Sequence, residues 1–120
     1  MTEFIQAVAH ATANMRALFE STPLQHNLYL SAKYDAEIWL KREDLGPVRS
    51  YKLRGAFNAM RKVIPGNVLF VCASAGNHAQ GVALACQKLD VNGKIYYSQV
   101  ITLMKCLSVQ LFWLKKVKNT

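Results

Sequence analysis

The sequence predicts an α/β fold on three observations. Helix-like and strand-like segments alternate from residue 50 to residue 97. The run Val68-Leu69-Phe70-Val71-Cys72-Ala73 has strand length and the unbroken hydrophobicity of a parallel strand covered on both faces. It leads directly into a turn of small residues, Ser74-Ala75-Gly76, and then into helical spacing. Crossovers between parallel strands in such a pattern are right-handed.

Each element has its own signal. Phe4, Val8, Ala11, Met15 and Leu18 recur at spacings of four and three, placing them on one stripe of a helix that ends before Pro23. Asn27 to Ser31 and Glu37 to Lys41 are short β-prone runs separated by Lys33-Tyr34-Asp35-Ala36, which predicts a hairpin or two neighbouring strands. Arg42 to Pro47 reads as a polar loop with a Gly-Pro turn. Ser50 suits a helix N-cap, and Leu53, Phe57, Met60 and Ile64 repeat from there until Pro65-Gly66. Ala79, Val82, Ala83 and Cys86 form the next helical stripe; after an Asn92-Gly93 turn, Lys94 to Tyr97 is again β-prone. From Ser98 onward the chain is apolar with scattered lysines and no clear period.

Composition narrows the class. Of the 120 residues 52% are hydrophobic and 18% charged, which argues for a packed core and against disorder. The net charge of +8 raises nucleic acid or an anionic membrane surface as partners, but its distribution weakens that reading. All seven acidic residues precede residue 97, whereas Lys105, Lys115, Lys116 and Lys118 follow it. Three cysteines without a C-x-x-C pair indicate neither a disulfide scaffold nor a zinc site, and a reducing cytoplasmic location is expected. His10, His26 and His78 lack metal-ligand spacing. The start has no secretory pattern, and the longest uncharged stretch, Val63 to Gln87, is broken by Pro65, Gly66, Asn67, Asn77, His78 and Gln80, so no membrane span is expected.

Two segments carry chemistry. Lys52 falls in the opening turn of its predicted helix, where the positive end of the macrodipole disfavours a second positive charge and favours the neutral, nucleophilic amine. Such an amine attacks aldehydes to form Schiff bases. Arg54 pushes the same way, while Gly55 and Ala56 leave room for another element or a ligand. The second segment is the strand-to-helix turn Ser74-Ala75-Gly76-Asn77-His78, whose backbone N–H groups can close on a carboxylate or phosphate. Asn77 adds a side-chain amide able to bond a phenolate-like oxygen. Taken singly, a lysine at a helix start is usually a solvated surface residue, and Ser74 and His78 usually a cap and a satisfied histidine.

Four motifs in order change that balance: Thr22-Pro23-Leu24, Trp39-Leu40-Lys41-Arg42-Glu43-Asp44-Leu45, Ser50-Tyr51-Lys52-Leu53-Arg54-Gly55-Ala56, and Ala73-Ser74-Ala75-Gly76-Asn77-His78-Ala79-Gln80-Gly81-Val82-Ala83. Over residues 1–97 the chain resembles the N-terminal part of the threonine dehydratases, pyridoxal-phosphate-dependent threonine ammonia-lyases of the tryptophan-synthase-β-like fold. The resemblance implies a partial, truncated three-layer αβα fold of fold type II. It implies pyridoxal 5'-phosphate as cofactor, held by Lys52, with Asn77 on the 3′-oxygen of its ring and Tyr51 against it. It further implies that Ser74, Ala75, Gly76, Asn77 and His78 grip the carboxylate of an amino-acid substrate, threonine or serine, and that no metal takes part. The implied reaction turns threonine into 2-oxobutanoate and ammonia, with Lys52 taking the α-proton. Related serine racemases usually carry a serine at the position aligned with Ala75, so alanine there implies dehydration without racemisation. Family members are usually homo-oligomers.

The chain also departs from that pattern. Family members are several times longer, and their Gly-rich phosphate loop and pyridine-nitrogen partner lie beyond the matched part; the six glycines here include no consecutive pair. Residues 98–120 read as a divergent, basic, apolar tail of the kind a shifted reading frame produces. Two further readings therefore stand beside a small dehydratase. One is a non-catalytic remnant, weakly active or inactive, with an open sheet edge and bare apolar faces. The other is a basic module for nucleic acid or a membrane surface, using Phe112, Trp113 and the terminal lysines.

Overall fold

The computed structural model describes residues 1–64, 66 and 68–96, which form parts of two compact units, one up to Arg49 and one from Ser50 onward. The expectations placed on Tyr97 and on the 98–120 tail lie outside the described residues.

In the first unit, helix α1 (Thr2–Arg16) follows the predicted stripe, yet it buries none of its residues; Phe4 is 73% exposed. Strand β1 (Leu24–His26) pairs antiparallel with β2 (Trp39–Lys41), setting His26 opposite Trp39 with ring centroids 4.8 Å apart. Two neighbouring strands were expected here, but not with these bounds. Asn27 to Ser31 is not a strand: it opens α2 (Leu28–Tyr34). The reason is local, because the Asn27 side chain accepts the Leu30 N–H at 2.8 Å and so caps the helix. Asp35, in the left-handed region at φ 47°, ends it. Ser31 Oγ then accepts the Ile38 N–H at 2.9 Å and hydrogen-bonds His26 Nε2 at 3.1 Å, tying α2 to both strands.

The polar loop after β2 begins with a short 3₁₀ turn, Glu43–Leu45. Buried Thr22 donates from Oγ1 to Glu43 Oε1 at 2.6 Å, and Lys41 Nζ donates to Thr22 Oγ1 at 2.7 Å and to the Thr22 carbonyl. Arg42 forks onto both Asp44 oxygens at 2.9 and 2.7 Å and reaches Gln25 Oε1 at 2.6 Å. The first two motifs of the sequence thus meet in one polar clip.

The second unit is an α/β layer. Helix α3 (Lys52–Arg61) buries Leu53, Ala56, Phe57 and Met60 on one face and packs on α4 (Asn77–Leu89), which lies in turn against a parallel pair, β3 (Leu69–Ala73) and β4 (Asn92–Tyr96). Phe57 is 1% exposed, a burial that contributes about 1.5–3 kcal/mol. Helix α4 touches α3 on one side and the sheet on the other, so every residue from Gly81 to Cys86 is buried and most are small.

Among the described residues, strand β3 is covered on one face and not on the two expected of it. Cys72 is buried under α4, whereas Leu69 and Val71, on the opposite face, are 57% and 63% exposed. Alternating side chains point to opposite faces, and the described residues supply a helix for only one of them. The turn expected at Asn92-Gly93 also falls earlier. Asp90, at φ 55°, closes α4 with its N–H on the Cys86 carbonyl, and Asn92 and Gly93 already belong to β4. Gly93 is small for packing rather than turning, since a Cβ there would meet Cys86 Sγ at 2.4 Å.

Candidate active site

Both chemical segments lie in the second unit. Ser50 is buried, and its Oγ accepts the Lys52 N–H at 3.2 Å, while the Arg54 N–H bonds the Tyr51 carbonyl at 3.1 Å. Ser50 thus touches the opening of α3, but the cap position expected of it falls one residue later, at Tyr51, which makes no side-chain cap bond. Lys52 is the first residue of α3 and is exposed; its ammonium stands 5.0 Å from the centre of the exposed Tyr51 ring. The room expected at Gly55 is present: among the described residues, none packs within 4 Å of a Cβ built there, while Ala56 is buried.

The second segment follows the carboxyl end of β3. The Ser74 N–H donates to the Tyr96 carbonyl at 3.0 Å, which fastens the turn to the end of β4, and Ser74 Oγ accepts the Gly76 N–H at 3.3 Å. Ala75 and Gly76 are half-buried, Asn77 and His78 exposed in the first turn of α4. No side chain caps this helix at Gly76, and the first-turn N–H groups of Asn77, His78 and Ala79 have no intrahelical carbonyl to reach. Among the described residues, none beyond its chain neighbours stands within 4 Å of a Cβ placed at Gly76. The turn is therefore an open, uncapped amino end of the kind that receives anions.

One contact joins the two segments, and the sequence reading left it without a role. A Cβ at Gly81 would lie 2.9 Å from Leu53 N and 3.0 Å from the Lys52 carbonyl carbon, so the backbone of α4 presses directly on the first turn of α3. Gly81 is four residues beyond Asn77, about 6 Å along the helix. The signal was legible, for a glycine inside a helical stripe costs about 1 kcal/mol against alanine and marks a close approach.

Among the described residues, no group of three His, Cys, Asp or Glu side chains converges as a metal site would require, and no helix is long and apolar enough to cross a membrane.

A lysine at the start of one helix, its turn abutting a second helix whose uncapped amino end follows a parallel strand, defines an α/β protein with an open turn at the carboxyl edge of its sheet. A sequence model of the pyridoxal-phosphate dependent enzymes matches residues 16–112, and the chain belongs to that family. The biosynthetic L-threonine dehydratase IlvA of Bacillus subtilis (strain 168) is 44% identical over 110 residues, which are 90% of this chain and 26% of that protein. The corresponding protein of Staphylococcus saprophyticus is 44% identical over 107 residues, covering 88% and 25%. Among solved structures, the processed form of threonine deaminase isoform 2 from Solanum lycopersicum superposes with a TM-score of 0.80 at 34% identity, over 93% of this chain and 32% of that one. Maize serine racemase, at 24% identity and a TM-score of 0.82 over 90% of this chain and 33% of that one, shares the fold. The fold is thus that of fold-type-II pyridoxal-phosphate enzymes, present in part, and the chain spans about a quarter of the length of the curated relatives it matches.

Proposed function

We propose that this chain carries the lysine side of a threonine dehydratase site, and that whatever activity it has is the conversion of threonine, or of serine, to a 2-oxo acid and ammonia. The observation that carries the proposal is the abutment of the Lys52 turn on α4 one helical turn from Asn77, in a chain 44% identical to L-threonine dehydratases. The residues present fit one side of the family's cofactor. Lys52 offers an exposed amine, Asn77 a side-chain amide, and the turn before α4 an open amino end for an anion. They offer no phosphate cup, since no two glycines are consecutive among the 120 residues.

Pyridoxal phosphate, when bound, supplies an aldehyde that takes amines covalently and a ring that accepts an electron pair. Lys52 would hold it through its side-chain amine, and the same amine would serve as the base for the substrate α-proton. The N–H groups at the amino end of α4, with Ser74 and His78 beside them, hold and orient the substrate carboxylate. Asn77 would bond its ring oxygen, and Tyr51 would stand against it. Ala75 brings no second base to the opposite face, which favours loss of the β-hydroxyl over racemisation. A cytoplasmic location goes with this reading.

The test is to mix the full chain with pyridoxal phosphate, reduce with borohydride and locate the added mass by peptide mapping. Modification confined to Lys52 at low cofactor, and lost in Lys52→Ala, supports the proposal and makes a 2-oxobutanoate assay worth running. Modification spread over many lysines, or none, refutes it and leaves a non-catalytic remnant.

A further inference from the structure

We infer that Gly81 is the positioning residue for Lys52: its missing side chain sets how closely the first turn of α3 seats on α4, and hence where the lysine amine stands relative to Asn77 and the carboxylate turn. The inference rests on the proposed role of Lys52 and deepens it.

The atoms facing Gly81 are Leu53 N, the Lys52 carbonyl carbon and Leu53 Cα, at 2.9, 3.0 and 3.1 Å from a Cβ built there. All three belong to backbone, so no side chain can swing aside to accept a methyl group. Relief needs about 0.5 Å of movement by the first turn of α3 or by α4 itself. Helix α4 is held by the sheet on its other side, with Ala79 and Ala85 wholly buried, so the freer partner is the α3 turn. Half an ångström is also about the tolerance within which a preorganised site must hold its groups. Glycine is the poorest helix former after proline, and its presence in the middle of α4 buys this contact rather than helix stability.

Gly93 provides a matched comparison. It also accepts no side chain, but its obstacle is Cys86 Sγ, at the contact of α4 with the sheet and away from α3. Gly81→Ala and Gly93→Ala both overpack α4, and only the first presses on the lysine turn.

The full chain and both variants are to be reductively methylated with ¹³C, and the Lys52 methyl resonance assigned by its loss in Lys52→Arg. The expected result is a Lys52 resonance that moves in Gly81→Ala and stays in place in Gly93→Ala, while urea midpoints fall in both. A resonance unmoved in Gly81→Ala, or moved alike in both, overturns the inference. If Gly81→Ala does not fold, the comparison is repeated in trimethylamine N-oxide, which favours the compact state; a variant still unfolded there overturns it too, since the contact then serves the fold alone. Unmethylated samples are labelled with pyridoxal phosphate and borohydride. Preference for Lys52 over the other lysines is expected to fall about tenfold or more in Gly81→Ala and to persist in Gly93→Ala. If the parent chain shows no such preference, the proposed role of Lys52 fails, while the methyl resonance still decides whether Gly81 sets its position.

Discussion

Replacing Gly93 by alanine tests the packing of α4 on the sheet in isolation. The new Cβ would stand 2.4 Å from Cys86 Sγ, about 1 Å short of ordinary contact, while its next neighbours, Cys86 Cβ at 3.6 Å and the Phe70 carbonyl oxygen at 3.7 Å, are already at comfortable distances. The sulfur has little room to retreat, because Leu84 and Ala85 on the same turn are buried as well. Overpacking of this kind costs about 1–3 kcal/mol. Cys86→Ala alone loses a buried sulfur and costs about 1–2 kcal/mol. Together the two changes should cost no more than Cys86→Ala, since the clash is with Sγ alone. No described glycine has a positive φ, so alanine at 93 is unstrained and returns about 0.4–1 kcal/mol through the unfolded chain. The cycle therefore predicts a favourable coupling of at least about 1 kcal/mol between positions 93 and 86. Urea unfolding of the four chains, followed by far-UV circular dichroism with a constant m-value, measures it. Additivity within about 0.5 kcal/mol would show that α4 does not seat on β4 at Gly93 and would undo the account of that glycine.

Other substitutions probe the remaining contacts. Phe57→Ala should destabilise by about 3–5 kcal/mol, the largest loss expected from any described side chain in the second unit, read from the same urea curves. Arg49 holds φ 50° without being glycine, so Arg49→Gly should raise stability, by up to about 1 kcal/mol. The Arg42 guanidinium holds the Asp44 carboxyl below its usual range, chiefly by their hydrogen bond. A lowered folded-state value contributes stability above the unfolded value, about 3.9, and loses it as pH falls through the folded value. The gap in unfolding midpoint between the parent and Asp44→Asn should therefore be present at neutral pH, shrink with salt, and close below about pH 4. Burial pushes the Cys72 thiol up, so it should resist iodoacetamide in the folded chain and react on unfolding.

The parts of the fold that were legible in the sequence are those whose signals are local. The stripe Leu53, Phe57, Met60 and the stripe Ala79, Val82, Ala83, Cys86 are periodic, and both turned inward. The strand from Leu69 to Ala73 was readable from hydrophobicity alone. What escaped depended on partners remote in sequence or on a side chain competing with the backbone. Asn27 to Ser31 has strand composition, and one hydrogen bond from Asn27 to the Leu30 N–H turns it into a helix. The loop acids Glu43 and Asp44 gave no hint that they would close on Thr22 and Arg42. Lys52 is set apart from a surface lysine only by its company of motifs, and the fold leaves both readings standing, because each places an exposed lysine at a helix start.

The exposed face of β3 bears on how much chemistry such a chain can do. Leu69 and Val71 are strand formers suited to a dry interior, yet more than half of each is open to water. The face toward α4, by contrast, is closed, with Cys72 buried and Gly93 pressed against Cys86. The two glycines and the two bare side chains divide the unit into a helix-covered side and a side that asks for cover. Lys52 and the turn from Ser74 to His78 depend on the closed side, through Gly81 and the bond from Ser74 to Tyr96. Changing the bare face should therefore leave the site alone: Leu69→Lys with Val71→Glu is expected to reduce self-association in analytical ultracentrifugation while keeping borohydride labelling at Lys52. Loss of that labelling together with self-association would mean that a second molecule covering β3 is needed to hold the lysine turn, and that the closed side is not sufficient by itself.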